Sequence, residues 1–315
     1  MILQHLMNHE KHYITLNNYL RAYYGEKVYK ISLNPGFTCP NRDGKVDTTG
    51  CLFCSSMKSG DFSGDVSLSL KAQFASVKER MQAKWEEGSY IAYLQAGTNT
   101  YAPLDVLEKT FSTLLNLDEK VISISIATRP DEIYPEIIEL LKKLQTKKTV
   151  WVELGFQTVH PETYRFFHRG YENECFEKAV KLLHEANIAI IVHIINGLPF
   201  ETKEMMLETV QYLAEFPISG IKIHMLHVMK DTPLGQMYLE KPFPLLSLEE
   251  YVEITAEQLR YLPSDIVIHR LTGDAPLNLL IAPEWTKKKF VVLNEIDKYM
   301  RKRNIWQGDK AKCKR

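Results

Sequence analysis

Three cysteines, Cys39, Cys51 and Cys54, stand in a segment running from Gly36-Phe-Thr-Cys-Pro-Asn-Arg-Asp-Gly44 to Gly50-Cys-Leu-Phe-Cys54. Three thiolates can hold a metal centre and leave one coordination position open for chemistry. Soft sulfur ligands select zinc, copper(I) or iron-sulfur clusters, and the Cys-x-x-Cys spacing favours a metal site. Structural zinc wants four protein ligands. The neighbouring sequence offers no fourth Cys or His at finger-like spacing, and Cys313 would have to come from a loose tip. In a [4Fe-4S] cluster, three cysteines leave one iron free for an exogenous ligand, as a catalytic cluster needs. Pro40, Gly44 and Gly50 suit a tight loop whose amides donate to sulfur, and Phe53 would pack on a cofactor or in the core. Cys175 opens a helix pattern and reads as a packed small hydrophobe.

A scaffold must hold these thiols, and its rhythm is visible. Strand candidates are Tyr29–Asn34, Tyr90–Gln95, Val121–Ala127, Thr149–Leu154, Ala189–Ile195 and Gly220–Leu226, each short and β-branched or aromatic. Helical stretches separate them: Ser67–Glu87, Pro103–Asn116, Ile133–Lys147, Cys175–Ala186 and Glu204–Glu215. Alternating strands and helices imply βα units and a parallel sheet, open or closed. The apolar run Ile188–Val192 suits a strand buried on both faces. Polar punctuation follows the strands, at the carboxyl edge where parallel sheets gather ligands. Residues 1–28 read as an N-terminal extension with a helix at Ile14–Tyr24, and 29–235 as the core. Residues 236–315 read as a C-terminal extension with helices at Leu248–Tyr261 and Lys287–Arg303.

The 315 residues are 45% hydrophobic and 25% charged, as in an ordinary globular protein. No apolar run has the length of a membrane span, and the first ten residues lack the features of a signal peptide. A cytoplasmic location with no membrane partner is expected. Five cysteines in a reducing compartment argue against a disulfide framework. The formal net charge of zero hides an asymmetry: residues 286–315 hold eleven Lys or Arg against three acids, a balance of +8. Two readings stay open, a footprint for phosphate backbones or a solvated helix ending in a loose basic tip.

The cysteine loop after the first strand, the aromatic residue before its last Cys and the six βα units together resemble the radical S-adenosylmethionine (SAM) enzymes. The stretch Lys27–Gly44 with its Cys-x11-Cys-x2-Cys arrangement is similar, more narrowly, to a bacterial subgroup related to the Elongator catalytic subunit. The resemblance implies an α/β fold, a partial (βα)6 TIM-like barrel with N-terminal and C-terminal helical extensions. It further implies a [4Fe-4S] cluster on Cys39, Cys51 and Cys54, with SAM chelating the open iron. An electron from a donor such as flavodoxin or ferredoxin would cleave SAM to methionine and a 5′-deoxyadenosyl radical.

By the same resemblance, Gln95, Ala96 and Gly97 stand where the family holds the methionine amino group, with Ala96 departing from a glycine pair. Arg129 belongs to Thr128-Arg-Pro-Asp131, which matches the relatives after the third strand, although Ala127 replaces a frequent carboxylate. Glu153 or Gln157 would bond ribose hydroxyls, and Arg169 would pair with the SAM carboxylate. Asn196 opens the fifth-strand motif Asn196-Gly-Leu-Pro-Phe-Glu201, and His193 occupies a position often held by Asp. Each of these residues also has a plain structural reading as an ion pair, surface charge or turn. His224 and His227 read as neutral core or substrate-facing groups.

The resemblance and the basic tail together point to transfer RNA (tRNA) as substrate, with Trp306 stacking on a base or capping a helix on the barrel. The subgroup implies remodelling of the aminomethyl-type side chain at carbon 5 of wobble uridine, for example removal of a carboxymethyl group to leave the amine. Two other classes stay open: a radical SAM enzyme acting on a small metabolite or protein, and a nonenzymatic zinc-dependent nucleic-acid module.

Overall fold

The computed structural model describes residues 3–84 and 88–312. Its elements run α1 (Leu16–Tyr24), β1 (Val28–Leu33), α2 (Leu70–Gln82), β2 (Ser89–Leu94), α3 (Leu104–Leu115), β3 (Val121–Thr128), α4 (Pro135–Gln145) and β4 (Thr149–Gln157). They continue with α5 (Pro161–Phe166), α6 (Asn173–Glu185), β5 (Ala189–Asn196), α7 (Lys203–Leu213), β6 (Gly220–Met225), β7 (Val228–Met229) and α8 (Pro233–Glu240). The C-terminal part adds α9 (Leu248–Tyr261), β8 (Val267–Arg270), β9 (Leu280–Ala282) and α10 (Lys289–Arg303).

Six strands pair in parallel in chain order, β1 to β6, and β8 joins β6 as a seventh. Each βα crossover returns the chain to the same edge, which keeps the strands parallel, and their twist and tilt curl the sheet into an incomplete barrel. The stretch expected as a C-terminal extension therefore supplies a barrel strand. α5 and α8 have no counterpart among the expected helices: both are short and start at a proline.

Strand alternation divides the sheet into two faces. Ile31 and Leu33 on β1, Ile124 and Ile126 on β3, and Val152 and Leu154 on β4 point outward into the main core under the helices. Their neighbours point inward and are largely polar. The sheet is thus covered on both faces, and the expected two-sided burial of the Ile188–Val192 run holds: Ile190 and Val192 face the main core, and Ile191 the barrel interior. At the amino end of the barrel, Leu20 of α1 packs with Val28, Ile91, Trp151 and Ile191 as a plug. The opposite, carboxyl end stays open.

The end of the chain is docked as far as it is described; Cys313 lies outside the described residues, as do 85–87 of the helix expected at Ser67–Glu87. Gln307 is buried and donates from Nε2 to the carbonyls of Pro263 and Ile266 at 2.9 and 2.7 Å, while its Oε1 accepts from the Ile14 amide at 2.9 Å. Trp306 stacks on His12 with centroids 3.8 Å apart, and its indole N–H donates to Asn304 at 3.0 Å. Of the two readings of Trp306, the packing one is what the structure shows, against the N-terminal segment instead of the barrel. Among the described residues no helix is long and apolar enough to cross a membrane.

Candidate active site

The long connection from β1 to α2 carries the cysteines across the open end of the barrel. Gln73, buried on α2, staples its two ends: Oε1 accepts from the Asn34 amide at 2.9 Å, and Nε2 donates to the carbonyls of Asn34 and Leu68. Asn41 ties the loop to the β4 side of the mouth. Its Nδ2 donates to the carbonyls of His168 and Arg169 and lies 3.3 Å from Cys51 Sγ. The Leu52 amide donates to Phe167 O at 3.1 Å.

Arg42 crosses beneath the loop and donates from Nη2 to the carbonyls of Cys54 and Ser55, at 2.8 Å each. Gly50 makes room for it: at φ +81° a β-carbon there would stand 2.9 Å from Arg42 Nε. On the β2 side, the Gly97 amide donates to Lys58 O and the Thr98 amide to Thr38 O, both at 3.0 Å. Gly97 adopts φ +75°, and a β-carbon would fall 2.5 Å from Phe37 O, so only glycine lets the two loops meet.

Cys39, Cys51 and Cys54 all line one cavity of about 640 Å³ that occupies the barrel mouth. All three are free thiols. Burial pushes Cys51 up to about 12, with the Cys54 sulfur adding to the effect and Arg129 opposing it. Burial likewise raises Cys54. Such thiols ionise at neutral pH only when a bound cation replaces the lost solvation. Among the described residues no three His, Cys, Asp or Glu side chains converge on a single-ion site. The thiols instead border a shared volume, which suits a multi-iron cluster.

The donor set fits that cofactor in two further respects. Asn41 gives a sulfur a hydrogen bond, a normal tuning device for such clusters. Gln157, in the left-handed region at φ +64°, lines the same cavity with a buried Oε1 that has no partner. A buried acceptor without a donor marks a place where a ligand hydroxyl or amine belongs.

Below the rim lies an ionic floor: the ion-pair reading of Glu153 holds, with two partners, Lys30 and Lys222, that the sequence reading did not name. Glu153 is fully buried, and its carboxylate accepts from Lys30, from Lys222, from Ser125 Oγ at 2.6 Å and from His193 Nε2 at 2.7 Å. Burial alone would raise Glu153, but Lys222 and Lys30 outweigh it and hold the group well below the usual carboxylate range. Both ammonium groups also lie over the ring of Tyr93, at 4.1 and 4.7 Å from its centroid. Burial brings Lys222 down to about 7 and His193 to about 4. His224 and His269 are lowered by burial too, so these imidazoles are neutral at physiological pH.

A signal for this floor was present. Lys30 and Lys222 each sit mid-strand between isoleucines or their equivalents, where an uncompensated charge is costly and a partner is required. Glu153 is an acid in the middle of the facing strand.

Of the expected site residues, Cys39, Cys51, Cys54, Gln95, Gly97, Arg129, Glu153, Gln157, Arg169 and His193 line the cavity, whereas Ala96 and Asn196 do not. Asn196 turns instead toward α9 and exchanges hydrogen bonds with Gln258 at 2.8 and 2.9 Å. Arg169 spends four of its five N–H donors inside the protein, on the carbonyls of Tyr171, Phe156 and Thr158 and on Asn173 Oδ1. It acts as a clamp for the loops after β4. Arg129 is held bidentately by Asp131 at 2.9 and 2.7 Å and donates to Arg169 O. Gln95 Nε2 donates to Ser59 O at 2.8 Å, across the cysteine loop.

A half-closed parallel α/β barrel with three thiols at its carboxyl mouth defines the class. The family model described as the Radical SAM superfamily matches residues 33–213, and that of the Radical_SAM C-terminal domain matches residues 218–302. The chain belongs to the radical SAM superfamily, and with that come a [4Fe-4S] cluster, SAM and a reducing electron donor. This membership replaces the zinc-module alternative.

The Bacillus subtilis protein YtqA is 44% identical over 301 residues, covering 96% of this chain and 93% of its own. A tRNA uridine(34) acetyltransferase from Methanocaldococcus infernus is 25% identical over 189 residues, 59% of this chain and 34% of that protein. Among solved structures, Elp3 of M. infernus with an N-terminal deletion superposes with a TM-score of 0.64 at 18% identity, covering 88% of this chain and 63% of that one.

Proposed function

We propose that this enzyme uses its radical chemistry on tRNA, at the side chain on carbon 5 of the wobble uridine. Removal of a carboxymethyl group to leave an amine is the specific reaction favoured. The observation that carries the reading is the charge of the cavity: seven Lys or Arg line it against three acids, Asp61, Glu153 and Asp274. Such a lining selects an anionic substrate, and a carboxylate on the uridine side chain supplies one. The segment shared with the protein named as a tRNA uridine(34) acetyltransferase supports the choice of nucleic acid.

When bound, the cluster and SAM supply a radical able to take hydrogen from an unactivated carbon. The residues of this chain then do the rest. Cys39, Cys51 and Cys54 hold the cluster, and Gln95, Gly97, Arg129 and Gln157 present donors and acceptors to SAM from the cavity wall. Lys30 and Lys222 share one carboxylate, Glu153, and keep one positive charge for the substrate anion while Lys222 is protonated, below a pH of about 7. The loop carrying the cysteines crosses one side of the mouth and leaves an entrance beside it for the substrate.

Anaerobic reconstitution with iron and sulfide, followed by reductant and SAM, should release 5′-deoxyadenosine, and replacing any one of the three cysteines by Ala should abolish it. Substrate is tested separately by comparing wobble nucleosides in tRNA from deletion and parent strains. Identical nucleoside profiles would remove the tRNA reading and leave the radical chemistry intact.

A further inference from the structure

Among the described residues, the basic stretch at the C-terminal end holds two unlike groups. Lys310 and Lys312 fold back on Glu257 and Glu215, and Arg301 donates to Glu10 O. Lys287, Lys288 and Lys289 instead line a groove of about 530 Å³ beside the barrel mouth. The groove is continuous with the active-site cavity, because Phe62, His227, Gly273 and Asp274 border both.

Its walls are unusually bare for apolar residues. Phe290 is 72% exposed, Leu277 67% and Phe62 55%. Exposed rings clustered beside lysines at the entrance of an active site mark a binding surface rather than a packing accident. Lys287 and Lys289 pair with Glu284 and Asp274 at 2.9 and 3.0 Å, but these are solvent-facing pairs of small worth that a phosphate can displace.

We infer that this groove is the docking surface for single-stranded RNA flanking the target nucleotide, with Lys287 to Lys289 on the phosphates and Phe290 and Phe62 as stacking platforms. This rests on the reading of tRNA as substrate. The thiols lie inside the barrel mouth, so a target base must leave its stack to reach them, and its neighbours stay outside. A strand of RNA presents phosphates on one edge and flat bases on the other, matching lysines beside exposed rings. An acidic peptide would satisfy the lysines and leave the rings in water.

The test uses the reconstituted holoenzyme with SAM and a fluorescent anticodon stem-loop, with affinity measured against salt. The triple variant Lys287→Gln/Lys288→Gln/Lys289→Gln should lower the slope of log affinity on log salt by about 2, since each single-strand phosphate contact contributes about 0.7. Phe290→Ala should weaken binding at least about fivefold at every salt concentration. Both variants should keep the parent's thermal midpoint and its substrate-free release of 5′-deoxyadenosine. If the parent binds the stem-loop and the triple variant keeps its slope, the groove is excluded while the tRNA reading stands. A parent that binds no RNA, or whose groove captures only an acidic peptide, overturns both.

Discussion

The side-chain amide of Asn41 lies 3.3 Å from Cys51 Sγ while the same nitrogen donates to His168 O at 2.6 Å. One residue thus joins one of the three cavity thiols to the loop after α5, so the position of the thiol and the shape of the mouth are set together. Hydrogen bonds to cluster sulfurs raise the reduction potential by stabilising added negative charge.

Asn41→Ala should retain iron but lower the midpoint potential of the cluster by roughly 40 mV, the one-electron equivalent of a net hydrogen bond near 1 kcal/mol. A redox titration followed by electron paramagnetic resonance reads this directly. An unchanged potential would show that the contact only shapes the loop.

Glu153 holds two buried lysines, and its removal leaves both without a carboxylate. Glu153→Gln should destabilise the fold by about 3–5 kcal/mol in chemical denaturation. Adding Lys222→Met should recover at least half of that loss, because the charge left behind is then reduced. Additive losses in the double variant would mean that the two residues are not coupled.

Lys222 is protonated below a pKa of about 7 and neutral above it, because burial disfavours its charged form. If it holds the substrate anion, the positive charge is present at pH 6 and fades as pH rises through 7. KM for an anionic substrate should then climb up to about tenfold per pH unit above that point. The dependence should vanish in Lys222→Met. A flat profile in the parent would assign the anion to Lys30 or Arg270.

Trp306 packs on His12. Trp306→Ala should cost about 1–3 kcal/mol of stability through the lost stack and buried area. Affinity for the anticodon stem-loop, measured on the folded variant, should stay within twofold of the parent. A selective loss of RNA binding at unchanged stability would reverse this assignment.

The cysteine loop, the six βα units and the family were legible in the residues themselves. Local signals carry them: thiol spacing fixes ligand chemistry, and runs of Ile and Val between amphipathic helices fix a parallel sheet. Boundaries of β1 to β6 fall within a few residues of those expected. β8 was harder, because its four residues, Val267–Arg270, become a strand only by pairing with β6.

What the chain could not display along its length is which polar residues face one another. Lys30, Glu153 and Lys222 are separated by more than sixty positions at each step, and strand order alone brings them to one point. Arg169 and Asn196 lie in the right motifs, yet their hydrogen bonds run into the protein: Arg169 folds back on the end of β4 and the loops that follow it, and Asn196 is claimed by Gln258 of α9. The terminal charge likewise has one sign in sequence but two fates in space. Composition and spacing therefore determine the chemistry this protein can hold, whereas the curl of the sheet decides which side chains surround it. Long-range packing, not local preference, places a side chain inside a barrel or against a helix.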